Sequence, residues 1–122
     1  MRKIYYRKLV RDKIPEIIAN RNRECECYEL DNKTFKKQLM KKAVEEAKGL
    51  LASNSKKEIV SELADVYDVL SEIEKINKIS KNQVSLKRRE NLKRKGGFIN
   101  KLFLIWSSDE KYKTNEIKGR SR

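Results

Sequence analysis

The sequence predicts an all-α protein, a helical bundle with short extended segments near its termini. Two periodicities carry that expectation. From Lys56 to about Ile79, Ile59, Leu63, Val66, Leu70 and Ile73 recur at i, i+4, i+7, i+11 and i+14, the spacing of one helical face. From Phe35 to about Ala52, Phe35, Leu39, Met40, Ala43, Val44, Ala47, Leu50 and Leu51 also fall on one side of a helix. A third observation is compositional: hydrophobic residues make up 38% and charged residues 40% of the chain, which suits helices with one apolar face each.

The remaining elements follow in chain order. Residues 1–14 alternate short apolar runs, Ile4-Tyr5-Tyr6 and Leu9-Val10, with Arg7, Lys8, Arg11 and Lys13. Pro15 fixes its own φ and disfavours helix at Ile14, so it suits the first turn of a short helix through Ile17, Ile18 and Ala19. Residues 24–28 alternate polar and apolar, a weak strand signal. Asp31 or Asn32 caps the next helix, and residues 52–55 read as a turn. A basic helix spans Lys81 to Lys95 and ends at Gly96-Gly97. Leu102 to Trp106, within the run from Phe98, reads as a short buried strand or extended segment. Beyond Ser107 the chain is polar and charged, which predicts a disordered basic tail over 107–122 after a domain over 1–106.

At 122 residues there is no room for a second core. Apolar content is low for a lone monomer, so oligomerisation is a natural way to cover surface. The net charge of +13, from 31 Lys+Arg against 18 Asp+Glu, implies affinity for polyanions: nucleic acid, nucleotides or acidic lipid. Much of the excess lies in Lys87–Lys101 and Lys111–Arg122. No apolar run is long enough for a membrane span and the N-terminus does not read as a signal peptide, so the expected compartment is the cytoplasm, with no membrane partner. Cys25 and Cys27 are too close in sequence to pair readily, and there is no histidine to complete a zinc site with them, so reduced thiols are expected.

The acids are out of place in such a chain. On a wheel of the 56–79 helix, Glu58, Glu62, Asp65 and Glu72 lie within roughly a quarter turn, with Asp68 just beyond. Val69 and Ile76 share that sector, along the edge of the apolar face. Like charges at i,i+3 and i,i+4 cost about 0.2–0.5 kcal/mol per pair on an exposed helix, and more when half-buried without a compensating cation. In the 35–52 helix Glu46 lies between Phe35 and Leu39, inside the apolar face, and Glu45 points towards solvent. Glu46, Glu62 and Asp65, from two antiparallel helices, converge on one point in this reading. Hard oxygen ligands there suit Mg²⁺ or Mn²⁺. The competing reading is a charged face satisfied by Lys41, Lys42, Lys48, Lys56 and Lys57.

Three motifs carry a resemblance to a known family. They are Lys8-Leu9-Val10-Arg11-Asp12-Lys13-Ile14-Pro15-Glu16-Ile17-Ile18, then Glu62-Leu63-Ala64-Asp65-Val66-Tyr67-Asp68-Val69, then Gly96-Gly97-Phe98 after a basic helix. In this order, from about Lys3 to Trp106, the chain resembles the MazG-like and phosphoribosyl-ATP pyrophosphohydrolase-like superfamily of all-α nucleotide pyrophosphohydrolases. The resemblance implies a helical bundle acting as a homodimer or homotetramer. It also implies Mg²⁺-dependent hydrolysis of a nucleoside triphosphate between the α and β phosphates, giving the monophosphate and pyrophosphate, with non-standard nucleotides among the substrates of many members.

In that family four acids hold the metal, in a Glu-x-x-Glu pattern followed by Glu-x-x-Asp. Glu62 and Asp65 match the second half and Glu46 opens the first, but Gly49 stands where its second acid is expected, and Lys48 where an acid is often found. Lys95 stands where an arginine is more usual before the glycine pair. The expected roles are therefore these. Glu46, Glu62 and Asp65 are catalytic metal ligands. Asp68 is a fourth ligand or holds a water, and Glu45 is an outer-shell carboxylate. Arg11, Lys13, Lys42, Arg94 and Lys95 contact phosphate. With no histidine, a general base is a carboxylate or a water on the metal. Phe98, Phe103 and Trp106 stack on a base or belong to the core. The alternative is a degenerate, catalytically weak member that binds nucleotide or nucleic acid through its basic surface and tail.

Overall fold

In the computed structural model residues 2–112 are described. They form four helices: α1 (Ile14–Asn20), α2 (Asn32–Leu51), α3 (Lys56–Ile76) and α4 (Lys81–Lys95). The fold is all-α, with no strand among the described residues. The chain divides into two compact units, Met1–Leu86 and Lys87–Arg122, with the boundary inside α4. No described helix is long and apolar enough to cross a membrane.

The first unit is built on α2 and α3, which pack on each other along their length. The link between them, residues 52–55, is short, so the two helices run antiparallel. Both starts are capped, α2 by Asp31 as the sequence expects and α3 by Ser55, which the sequence marks only as part of a turn. The Asp31 side chain accepts from the Thr34 N–H at 2.8 Å, opening α2. Ser55 accepts from the Glu58 N–H at 3.1 Å, and the Glu58 carboxylate reaches back to the Asn54 N–H at 2.6 Å. This variant of the capping box fixes where α3 begins. A reciprocal box opens α4: Ser80 Oγ accepts from the Gln83 N–H at 3.2 Å and Gln83 Oε1 from the Ser80 N–H at 2.8 Å.

α3 ends at Ile76, before the expected Ile79. Lys78 adopts a left-handed φ of 55°, and the Ile79 N–H closes on the Glu74 carbonyl at 2.9 Å, a helix-ending turn of the Schellman type. Asn77 adds a side-chain bond to the Ile73 carbonyl at 2.8 Å. α1 takes in Ile14 as well as Pro15, with Lys13 as its N-cap residue. At the end of α4, Gly96 has a φ of 84° and its N–H bonds to the Leu92 carbonyl at 2.9 Å. Glycine accepts this conformation at no steric cost.

Leu39 of α2 and Val69 of α3 are the buried apolar residues of the described chain. The face that α3 turns inward is rotated from the expected one. It runs through Glu62, Asp65, Val66, Val69, Ile73 and Ile76, all buried or half-buried, while Ile59, Leu63 and Leu70 of the predicted stripe are exposed. α2 divides in the same way: Phe35, Leu39, Ala43, Glu46, Gly49 and Leu50 are shielded, and Met40, Val44 and Leu51 are exposed. Each helix has more apolar surface than one neighbour covers.

Two expected segments differ. Residues 24–28 form no strand and are exposed. In the second unit, Phe98 to Trp106 is neither a strand nor buried: Phe98 is 96% and Trp106 78% exposed. A strand needs a ladder partner for its backbone groups, and no described segment supplies one. Of the expected tail, residues 113–122 lie outside the described residues.

The Thr34 backbone N–H holds the Asp31 carboxyl below its ordinary value. A depressed carboxyl contributes stability that is fully present above the unfolded-state value of about 4 and is lost as pH falls through the folded value. Asp31→Asn keeps an acceptor for Thr34 without titrating. In thermal melts the unmodified chain should lose stability relative to Asp31→Asn as pH is lowered through this range, and should match or exceed it at neutral pH.

Candidate metal centre

The antiparallel register sets Gly49 against Glu62 and brings Glu46 to Asp65 across the α2–α3 seam. One carboxylate oxygen from each of Glu46, Glu62 and Asp65 lies within 4.8 Å of the others. All three residues are half-buried, and the Glu46 side chain is only 14% exposed. Burial, and next the negative charge of Asp65, push the Glu46 carboxyl above its ordinary value, while Lys42 pulls it the other way. Three hard oxygen donors with a partly uncompensated charge are the donor set that Mg²⁺ or Mn²⁺ takes. The residues fit such an ion.

Basic residues surround the acids. Lys42 Nζ lies 3.0 Å from Glu45 Oε2 and 3.7 Å from Glu46 Oε1, so it is an intrahelical partner of the acids one turn along α2. The N-terminal segment supplies two more. Arg11 Nη2 donates to Asp65 Oδ1 and to Asp68 Oδ2, both at 2.8 Å. Lys8 Nζ donates to Glu45 Oε1 at 2.6 Å and stands 5.9 Å from the centre of the Tyr6 ring. The hydrogen bond from Lys8 holds the Glu45 carboxyl below its ordinary value.

Several expected roles change with this geometry. Asp68 is exposed and bound to Arg11, outside the three-acid group. Glu45 does not point into open solvent; Lys8 and Lys42 hold it from two sides. Arg11 and Lys42 stand close to the acids, as phosphate-contacting residues of this site would, but both already pair with carboxylates. Lys13 is exposed and makes no ion pair among the described residues. Arg94 and Lys95 are exposed in the last turn of α4, in the second unit. Lys8 was not an expected site residue, although it lies in the N-terminal motif; its only sequence signal is its place one short step before Arg11 in a basic run.

Gly49, which the sequence presents only as the place of a missing acid, also bears on the geometry of the site. A Cβ built on it would lie 2.6 Å from Glu62 Oε2 and 3.0 Å from Glu62 Cδ. The Glu62 carboxylate thus sits directly over the bare α2 backbone. Ser53 Oγ donates to the Gly49 carbonyl at 3.1 Å, tying the last turn of α2 to the link.

Comparison with protein-family models, curated proteins and solved structures finds no match to this chain.

Three carboxylates held together without a cation repel one another. Glu46→Gln removes one charge while preserving shape, and should raise the stability of the metal-free protein at neutral pH by about 0.4–1 kcal/mol, two like-charge contacts at their usual cost. Denaturant unfolding in the presence of a chelator measures this. A loss of stability instead would mean that Lys42 and its neighbours already balance Glu46.

Proposed function

We propose that the chain is a Mg²⁺- or Mn²⁺-dependent nucleoside triphosphate pyrophosphohydrolase of the MazG-like type. The observation that supports this best is the convergence of Glu46, Glu62 and Asp65 from two helices, with their oxygens within 4.8 Å. When bound, the metal ion would neutralise triphosphate oxygens and polarise the phosphate under attack. The chain's own residues do the rest. Glu46, Glu62 and Asp65 supply the ligand oxygens. Arg11, at 2.8 Å from both Asp65 and Asp68, fixes the outer edge of the site and presents a guanidinium suited to phosphate. Lys42 and Lys8 keep Glu45 ionised and in place.

In the reaction a water oxygen bonds to phosphorus as the α–β bridging P–O bond breaks. The electron pair of that bond leaves with the departing phosphate group, and the water's proton passes to a carboxylate. The chain has no histidine, so the acceptor is a carboxylate of the site. The products are the nucleoside monophosphate and pyrophosphate, and the family resemblance adds to the proposal a role in clearing non-standard nucleotides in the cytoplasm.

Incubation with Mg²⁺ and a panel of standard and modified nucleoside triphosphates should release pyrophosphate, and Glu62→Ala should lower the rate at least about 100-fold if it removes a ligand. A second reading, a nucleotide- or nucleic-acid-binding module, draws on the exposed Lys87, Arg88, Arg89, Lys93, Arg94 and Lys95 of α4 and the exposed Phe98 and Trp106. Basic side chains beside accessible aromatics suit phosphates and unstacked bases. Absence of turnover with every nucleotide, together with tight, salt-sensitive binding to nucleic acid, would replace the enzyme by that module.

The same proposal includes a homodimer or homotetramer. The exposed Met40, Val44 and Leu51 of α2 and Ile59, Leu63 and Leu70 of α3 are apolar surface that a second copy can bury. Sedimentation should give a mass of two or four chains, and Val44→Glu with Leu63→Glu should shift it towards one; a monomeric unmodified chain at micromolar concentration would rule the assembly out.

A further inference from the structure

We propose that Gly49 is a positioning residue: its missing side chain gives the Glu62 carboxylate the seat on α2 from which it meets Glu46 and Asp65. This rests on the reading of the three acids as a divalent-cation site. Glycine is unfavourable inside a helix, and Gly49 lies in the last turn of α2, followed by Leu50 and Leu51. Its backbone is not in the left-handed region, so conformation does not require glycine there; only the present position of the Glu62 head group does. A Cβ at this position would meet the whole Glu62 head group, at 2.6 Å from Oε2, 3.0 Å from Cδ and 3.3 Å from Oε1.

The obstructed group is the far end of a flexible side chain, so a methyl at position 49 does not prevent the helices from packing. It turns Glu62 out of its seat. The three-oxygen group then loses the member that α3 contributes one turn before Asp65. An acidic side chain at 49 starts from the same Cβ and meets the same obstruction. In this chain an acid at 49 would therefore displace Glu62 rather than add a fourth ligand to the present three, and glycine and the inward Glu62 belong together as one arrangement.

A four-protein cycle tests this: the unmodified chain, Gly49→Ala, Glu62→Ala and the double variant. Each is melted with chelator present and titrated with Mn²⁺ by calorimetry. With Glu62→Ala in place, Gly49→Ala should raise Tm by roughly 3–6 °C, the gain expected from helix propensity alone. With Glu62 present the gain should differ clearly from that one, because the methyl also moves the Glu62 carboxylate away from Glu46 and Asp65, whose repulsion no cation offsets while chelator is present. Gly49→Ala alone should also weaken Mn²⁺ binding about tenfold, the scale of losing a residue that orients a ligand. Equal Tm gains in the two backgrounds, or unchanged Mn²⁺ affinity in Gly49→Ala, overturn the assignment. An unmodified chain that binds no Mn²⁺ overturns the cation site instead, while the melts still decide whether Gly49 seats Glu62.

Discussion

Where α2 passes α3 at Gly49, the Glu62 carboxylate lies against bare backbone, and the geometry of the site depends on that approach. The link of residues 52–55 is short, and the Ser55–Glu58 cap starts α3 at a defined residue. Together they set the antiparallel register. Once Glu62 faces Gly49, Asp65 faces Glu46 one turn further along, because both helices advance by the same rise per turn. A shift of the register by one residue on either helix would turn at least one of the acids out of the seam.

The acids at the seam set the charge pattern around them. Like carboxylates in a half-buried position need a partner, and for one of the three, Asp65, the N-terminal segment provides it from far away in the chain: Arg11 pairs with Asp65 and with the neighbouring Asp68 across 54 and 57 residues, while Lys8 pairs with Glu45 across 37. Each of these pairs is exposed, and such pairs contribute only about 0–1 kcal/mol apiece. Their larger effect is positional. They hold a segment without regular structure against the open side of the site, so that basic groups lie beside the acids within a chain whose overall charge is strongly positive.

The helices and the acid group were legible in the sequence because each rests on local chemistry or period. Asp31 and Gly96 act where side-chain capping and left-handed backbone require them, and Glu46 was conspicuous as a charge among apolar residues. The inward face of α3 was not legible. Ile59, Leu63 and Leu70 outweigh Val69 in hydrophobicity, yet α3 turns Val69 inward with Glu62 and Asp65 beside it. A helix apolar on two faces does not specify by composition which one meets its neighbour. The pairing of Lys8 and Arg11 was equally hidden, since it depends on the path of a segment with no period. Leu102 to Trp106 reads as buried because of its residues, but burial needs a partner surface, and a single chain's sequence does not display one. Gly49 read only as an absent acid. Its positive role appears when a Cβ is placed beside Glu62.

The rotation of α3 has a consequence for how this small protein spends its apolar residues. If Ile59, Leu63 and Leu70 met α2, the seam would be more hydrophobic and the acids would lie at its margin in water. With Val69, Val66 and Ile73 inward instead, the seam includes Glu62 and Asp65, and the stronger apolar residues remain on the outside beside Met40 and Val44. An isolated chain gains little from that choice, because burying carboxylates is unfavourable and the displaced residues stay wet. The arrangement becomes favourable when both sides are used: a cation among the acids offsets their repulsion, and a second copy against the outer stripe removes its apolar surface from water. The two proposals are thus coupled by one geometric fact, the direction in which α3 faces.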